Sequence, residues 1–220
     1  MVEFREGTDD EQTHNKIIHD NKYHLSENLS NKIVIDVGAH IGSFAMACMQ
    51  RNAKYIYAYE ANTEHYKILS QNLKEINNIK IHNSAVWKSD RPYEHLHIST
   101  DKEETVKAVS LDRIINKAVD KFNKKVDILK MNCEGAEYPI LYTSTTLYSV
   151  KNIACKYYNN PTPVILDEDN VLHYNWEDLL GFLKLSGFVV YHKKNEETSM
   201  FFATREIHKH PFDIDTNLFS

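Results

Sequence analysis

Val34-Ile35-Asp36-Val37-Gly38-Ala39-His40-Ile41-Gly42-Ser43-Phe44 reads as the end of a strand, a glycine turn and the start of a helix. With Ile33 in front, Val34, Ile35 and Val37 complete the short apolar, β-branched run of a strand buried on both faces. Gly38 permits a backbone that bulkier residues would strain. Gly42 lets the helix begin close to the strand, so that its first amides face a crevice at the strand's carboxyl end. Such a crevice in an α/β sheet binds nucleotide-like ligands. A dinucleotide turn needs G-x-G-x-x-G, with the middle glycine admitting a pyrophosphate, and His40 stands at that position here. The remaining D-x-G-x-x-x-G suits a ligand carrying a carboxylate and an ammonium, with the turn's amides for the one and Asp36 for the other. That describes the methionine end of S-adenosylmethionine; a plain strand-to-helix turn without a ligand is the alternative.

Outward from this turn, Lys54 to Tyr59 forms a second strand ending at Glu60. An acidic side chain at that strand end accepts both hydroxyls of an adenosine ribose. Asn62 or Thr63 caps a helix running to about Ile76. Ile79 to Val86 is a third strand. Its Asn83-Ser84-Ala85 end falls where a small polar group could bond an adenine's amino edge, with Trp87 as a cover for the ring or as plain core. Farther along, Ile128 to Met131 is a fourth buried strand. It runs into Lys130, Asn132, Glu134 and Glu137 around Gly135, polar groups that cost desolvation energy unless they have partners or chemistry to perform.

The flanks carry less. Residues 1–30 are polar and predict a helix near 10–28, either a lid over the crevice or a helix packed on the sheet edge. His14, His19 and His24 lie five apart and share no helix face. Excursion strands are expected near Glu94 to Ile98 and Val106 to Val109; His95 and His97 share a strand face there without a third metal ligand. Ser110 caps a helix to about Val119. Lys151 to Tyr157 makes a fifth strand, Asn175 caps a helix that stops at Gly187, and Phe188 to His192 with Ser199 to Thr204 form a closing hairpin. Residues 31–207 are thus expected to be one domain, and 208–220 a loosely held tail.

The 220 residues suffice for a single core. A formal net charge of -5 gives no broad basic face, which argues against nucleic acid as substrate. Cys48, Cys133 and Cys155 lack C-x-x-C spacing and read as reduced thiols of a cytoplasmic protein. No stretch has the length and apolarity of a signal core or a membrane span.

Four blocks in order carry a resemblance: Val34 to Gly42; Tyr59-Glu60-Ala61-Asn62; Ser110-Leu111-Asp112; and Asp127-Ile128-Leu129-Lys130-Met131-Asn132-Cys133-Glu134-Gly135-Ala136-Glu137. Together they resemble the FkbM family of S-adenosylmethionine-dependent methyltransferases over about residues 30–145. The resemblance implies the Rossmann-like class I methyltransferase fold, seven mostly parallel strands in the order 3-2-1-4-5-7-6 with the last antiparallel. It also implies methylation of hydroxyls on glycan sugars, a deoxyhexose such as rhamnose or fucose, or on polyketide-type small molecules. On this reading S-adenosylmethionine is held by Asp36, Gly38, His40, Gly42, Glu60, Asn62, Asn83, Ser84 and Ala85. The chain departs from the family at His40, where Asn is usual, and at Asn132, where Asp often precedes the Glu-Gly pair. An amide is neither a base nor a strong metal ligand, so no metal dependence is carried over.

An alkyl hydroxyl is a poor nucleophile while protonated, so a base at the end of the fourth strand is expected. Glu134 is the candidate base, Lys130 and Asn132 orient it or the acceptor, Glu137 caps the next helix, and His173 is a reserve base. Tyr157, Tyr158, Tyr174 and Trp176 could stack on a sugar or pack in the core. The rivals are a nicotinamide-dependent oxidoreductase, which the missing middle glycine disfavours, and a catalytically silent nucleotide-binding protein.

Overall fold

The computed structural model describes residues 2–89, 95–98, 104–158, 164–165, 171–172, 174–193 and 198–206. The strands are β1 (Ile33–Val37), β2 (Tyr55–Glu60), β3 (Ile79–Asn83), β4 (Ala85–Trp87), β5 (His95–Ile98), β6 (Glu104–Ser110), β7 (Val126–Met131), β8 (Val150–Tyr158), β9 (Val164–Ile165), β10 (Val171–Leu172), β11 (Val189–Lys193) and β12 (Thr198–Thr204). The helices are α1 (Asp10–Ile18), α2 (Ser43–Gln50), α3 (Thr63–Leu73), α4 (Leu111–Phe122), α5 (Glu137–Thr143) and α6 (Trp176–Leu185).

The main sheet has seven strands in the order β11-β12-β8-β7-β1-β2-β3. With the accessory strands β4, β5, β6, β9 and β10 set aside, this is the order 3-2-1-4-5-7-6. Strands β3, β2, β1, β7 and β8 pair in parallel, and β12 runs antiparallel to both β8 and β11. Every residue of β1 and β7 is buried, as their apolar runs require at the centre of a parallel sheet. One face packs Leu111, Ile114, Leu141, Leu179 and Phe201 beneath α4, α5 and α6. The other packs Tyr23, Leu29, Phe44, Leu69 and Phe202 beneath the N-terminal segment, α2 and α3.

The lower edge of the sheet is tied by one acid. The buried Asp127 carboxylate accepts the Ile33 N–H at 2.9 Å and lies 2.7 Å from Lys124 Nζ and 3.4 Å from Lys151 Nζ. It thereby joins β1, β7 and β8 at their amino ends.

Two elements differ from the sequence expectation. Helix α1 stops at Ile18 rather than near 28, because Asn21 and His24 adopt left-handed backbones and the Asn21 side chain bonds both the N–H and the carbonyl of Leu25, each at 2.9 Å. The third strand is cut at Ser84, whose N–H turns back to the Glu60 carbonyl at 3.0 Å. The chain then continues as β4, which joins β5 and β6 in a separate three-stranded sheet of order β4-β6-β5. Residues 208–220 lie outside the described residues, as do the side chains of His95 and His97.

Candidate active site

A cavity of about 690 Å³ opens at the carboxyl ends of β1, β2 and β7, and residues of the N-terminal segment form another of its walls. The turn after β1 is shaped by Gly38, at φ +72°. A Cβ there would stand 1.9 Å from the Asn132 carbonyl oxygen, so only glycine lets this turn pass the loop after β7. The turn folds back onto β2. Gly38 and Ala39 both donate their N–H to the Tyr59 carbonyl, at 2.9 and 3.0 Å, and Gly42 donates to Ala39 at 2.9 Å. His40 donates its N–H to Glu60 Oε2 at 2.7 Å. These amides, expected to meet a ligand's carboxylate, are therefore already donated within the protein.

Asp36 is likewise engaged. It is fully buried and does not line the cavity; its Oδ1 accepts from Lys130 Nζ at 2.8 Å. The ammonium that Asp36 meets is thus the chain's own. Lys130, which lines the cavity, also donates to the Gly38 carbonyl at 2.6 Å and so ties the glycine turn to β7. Burial opposes the charge of Lys130, but Asp36 beside it raises the pKa and keeps the ammonium protonated. Burial in turn pushes Asp36 up from the usual carboxylate value, with Lys130 opposing.

Glu60 faces the cavity from the end of β2. Its Oε1 accepts the Asn62 N–H at 2.9 Å, and the His65 ring nitrogen lies 3.5 Å away. Burial opposes its ionisation, yet His65 and the two backbone N–H groups hold its pKa below the ordinary value. Asn62 caps α3 by accepting from the Glu64 and His65 N–H groups. Asn83 is turned away from the cavity and donates to the carbonyls of Glu60 and Ala61, both at 3.1 Å. Gly42 serves as the left-handed cap of α2 and is not in the cavity wall. Ser84, Ala85 and Trp87 line the end beyond β3.

His40 is tied to the N-terminal segment. His40 Nε2 lies 2.9 Å from Arg5 Nη2 and 3.3 Å from Asp10 Oδ1. Burial, with His65 adding to it, lowers the His40 pKa to about 4. Arg5 also forks onto the buried Asp10, with contacts of 2.9 and 2.6 Å. That pairing outweighs burial and brings Asp10 down to about 2. Arg5, Asp9, Thr13 and Ile17 line the cavity. Nothing in the polar composition of this segment signalled these contacts.

At the β7 end, Asn132, Cys133 and Glu134 line the cavity. Glu134 has a left-handed backbone, φ +56°, followed by Gly135 at +100°. Glu137, the first residue of α5, reaches back to accept the Cys133 and Gly135 N–H groups at 2.6 and 2.8 Å and so clamps the loop from within. The Glu134 carboxylate is exposed and accepts the Tyr158 hydroxyl. Asn132 Oδ1 is buried and has no hydrogen-bond partner among the described residues.

Tyr157 belongs to the core, and Tyr174 and Trp176, both half-buried, pack against it. Tyr157 is fully buried and stacks on Trp176 with ring centres 4.7 Å apart. Tyr174 stacks on Tyr138 and Tyr142. His173 falls outside the described residues. Among the described residues no group of three His, Cys, Asp or Glu is placed to hold a metal ion.

The sequence matches the model of the methyltransferase FkbM domain over residues 36–189. No curated protein matches it. Among solved structures, the methyltransferase FkbM of Methylobacillus flagellatus KT superposes with a TM-score of 0.53 at 15% identity, over 85% of this chain and 47% of that one. This chain thus spans about half the length of that relative. TrmK of M. capricolum, solved with S-adenosyl-homocysteine, superposes with a TM-score of 0.51 at 11% identity, over 91% of this chain and 74% of that one. At such identities these likenesses show the fold alone. The domain match, covering most of the chain and both polar strand ends described above, shows that this protein belongs to the FkbM family of S-adenosylmethionine-dependent methyltransferases.

Proposed function

We propose that the chain transfers a methyl group from S-adenosylmethionine to a hydroxyl, with a sugar hydroxyl of a glycan as the acceptor and Glu134 as the base. The observation that carries this reading is the arrangement along one cavity. Glu60 stands at one end with its carboxylate fixed by the His40 and Asn62 amides, and the exposed Glu134 carboxylate stands at the other beneath the Tyr158 hydroxyl. Glu60 retains lone pairs for the two hydroxyls of a ribose. The orphaned Asn132 Oδ1 is an acceptor awaiting a donor, as an ammonium or a hydroxyl would be. Ser84, Ala85 and Trp87 make a half-apolar slot for a base. These residues fit the cofactor, which when bound supplies an electrophilic methyl on a sulfonium that leaves without help.

The chain's own task is then placement and proton removal. Aligning the acceptor oxygen contributes up to about 7–11 kcal/mol by restricting both partners. A carboxylate that takes the hydroxyl proton adds roughly 10²- to 10⁴-fold. Tyr158 donates to Glu134 and so fixes where its free oxygen points. We place the protein in the cytoplasm, where its free thiols stay reduced; no described helix is long and apolar enough to cross a membrane.

The test is calorimetric titration with S-adenosylhomocysteine and, separately, with NADH. Micromolar binding of the first alone is expected. Binding of NADH alone, or of neither, overturns the proposal.

A further inference from the structure

Two cations in the cavity wall stand outside any ion pair among the described residues. Lys22, just beyond α1, and Lys156, near the carboxyl end of β8, both line the cavity and are half-buried. Among the described residues neither ammonium forms an ion pair; each lies instead over an aromatic ring, Lys22 at 6.0 Å from the centre of Tyr23 and Lys156 at 5.3 Å from the centre of Tyr158. The wall also carries the acids Asp9 and Glu134, neither within ion-pair distance of these lysines among the described residues, and its other charges are matched. Arg5 is matched by Asp10, Lys130 by Asp36, and Glu60 by backbone amides. Burial, with the neighbouring Lys156 and Lys130 adding to it, lowers the pKa of Lys22, and Asp9 acts in the other direction. Like charges gathered in a partly desolvated wall are unfavourable until an anion joins them.

The position of Lys156 says which anion. Its ammonium sits over the ring of Tyr158, and the hydroxyl of that same ring bonds the Glu134 carboxylate. Cation and base are thus separated by about the width of one tyrosine, at the β7 and β8 ends, across the cavity from Glu60. We infer that the acceptor is itself anionic: a small hydroxyl compound that carries a carboxylate or phosphate within one sugar ring of the methylated oxygen, with Lys22 and Lys156 as its anchor. This rests on the methyltransferase reading above and adds the charge class of the substrate. A neutral deoxyhexose would leave both lysines unmatched, whereas a uronic acid or a sugar phosphate would meet them.

The test is calorimetry with D-glucuronate, D-glucose 6-phosphate and D-glucose. Each is titrated into the protein saturated with S-adenosylhomocysteine and into the ligand-free protein, for wild type and for the Lys22→Gln/Lys156→Gln variant. At least one acid is expected to bind tenfold or more tighter than glucose, and the variant should lose most of that advantage while keeping its affinity for S-adenosylhomocysteine. Preference for glucuronate or for the phosphate tells which acid group is read. Equal binding of acids and glucose, or no binding of either acid, overturns the inference. So does a variant that folds but no longer binds S-adenosylhomocysteine, since the lysines would then belong to the cofactor. If wild type fails to bind S-adenosylhomocysteine, the methyltransferase reading falls, and the ligand-free titrations still decide whether the lysines select an acid.

Discussion

Replacing Lys130 with methionine tests what the buried pair beneath the glycine turn contributes. The substitution keeps most of the side-chain volume but removes an ammonium that bonds Asp36 at 2.8 Å and the Gly38 carbonyl at 2.6 Å. Asp36, fully buried, is then left as an uncompensated carboxylate. Breaking a buried pair from one side costs about 3–5 kcal/mol. For a chain of this length each kcal/mol moves the melting point by about 2–4 °C, so the loss is roughly 6–20 °C. The deficit should shrink as pH falls. Without Lys130 the folded-state pKa of Asp36 rises further above its unfolded value, so the folded state takes up a proton that the unfolded state does not, and acid relieves the penalty. Adding Asp36→Asn to Lys130→Met should recover at least half of the stability, because the amide carries no charge to strand. Urea denaturation of wild type, single and double variants at pH 5.5 and 8 measures all of this. A single variant within 1 kcal/mol of wild type, or a double variant no better than the single, refutes the reasoning.

Other outcomes follow from the same geometry. Glu134→Gln should bind S-adenosylhomocysteine as wild type does and methylate at least a hundredfold more slowly; wild-type turnover would remove Glu134 as the base. Stability should fall as pH drops from about 6.5 toward 4, since the unfolded chain protonates His40 and His82 while the folded chain, with both pKa values near 4, does not. His40→Asn should make that part of a denaturation-versus-pH curve shallower, with His82 left to supply the rest, and an unchanged slope would show that His40 has no share in it. Gly38→Ala should fail to fold or lose several kcal/mol, because its Cβ meets a backbone oxygen rather than a movable side chain; a stable, soluble variant would mean that the turn can shift. Arg5→Ala should weaken S-adenosylhomocysteine binding at least fivefold in calorimetry by freeing the N-terminal segment from His40, and unchanged affinity would leave that contact without a part in binding.

The sheet was legible in the sequence because its central strands obey a strong rule: β1 and β7 are short, mainly apolar runs buried on both faces, β1 gives way to Gly38 and β2 ends in Glu60. The end of α1 was not, since its termination depends on the Asn21 side chain closing a turn on Leu25, and an Asn within a polar stretch is equally at home on a helix surface. The site was half legible. Polar residues at the ends of strands 1, 2 and 4 stand out against apolar runs, so Glu60 and Glu134 could be singled out. Their partners could not, because Asp36 and Lys130 meet across 94 positions and Arg5 and His40 across 35, and no local pattern encodes such a pairing. Sequence alone therefore assigned Asp36 to a ligand's ammonium when the chain supplies that ammonium itself. Lys22 and Lys156 passed unremarked for the same reason, being isolated lysines until the fold faces them across a cavity.

Glu134 occupies a backbone that a fold left to itself would give to glycine. A left-handed conformation costs a side-chain-bearing residue roughly 1–2 kcal/mol, and the neighbouring left-handed position is already Gly135. The Glu134 side chain is exposed, and among the described residues its hydrogen bond from the Tyr158 hydroxyl is the side-chain contact set against this cost. The chain would be more stable with glycine at 134 and would then have no carboxylate at that end of the cavity. With Glu134 as the base proposed above, selection for thermostability alone should drift toward that replacement and slow turnover, so this position sets stability and turnover against each other.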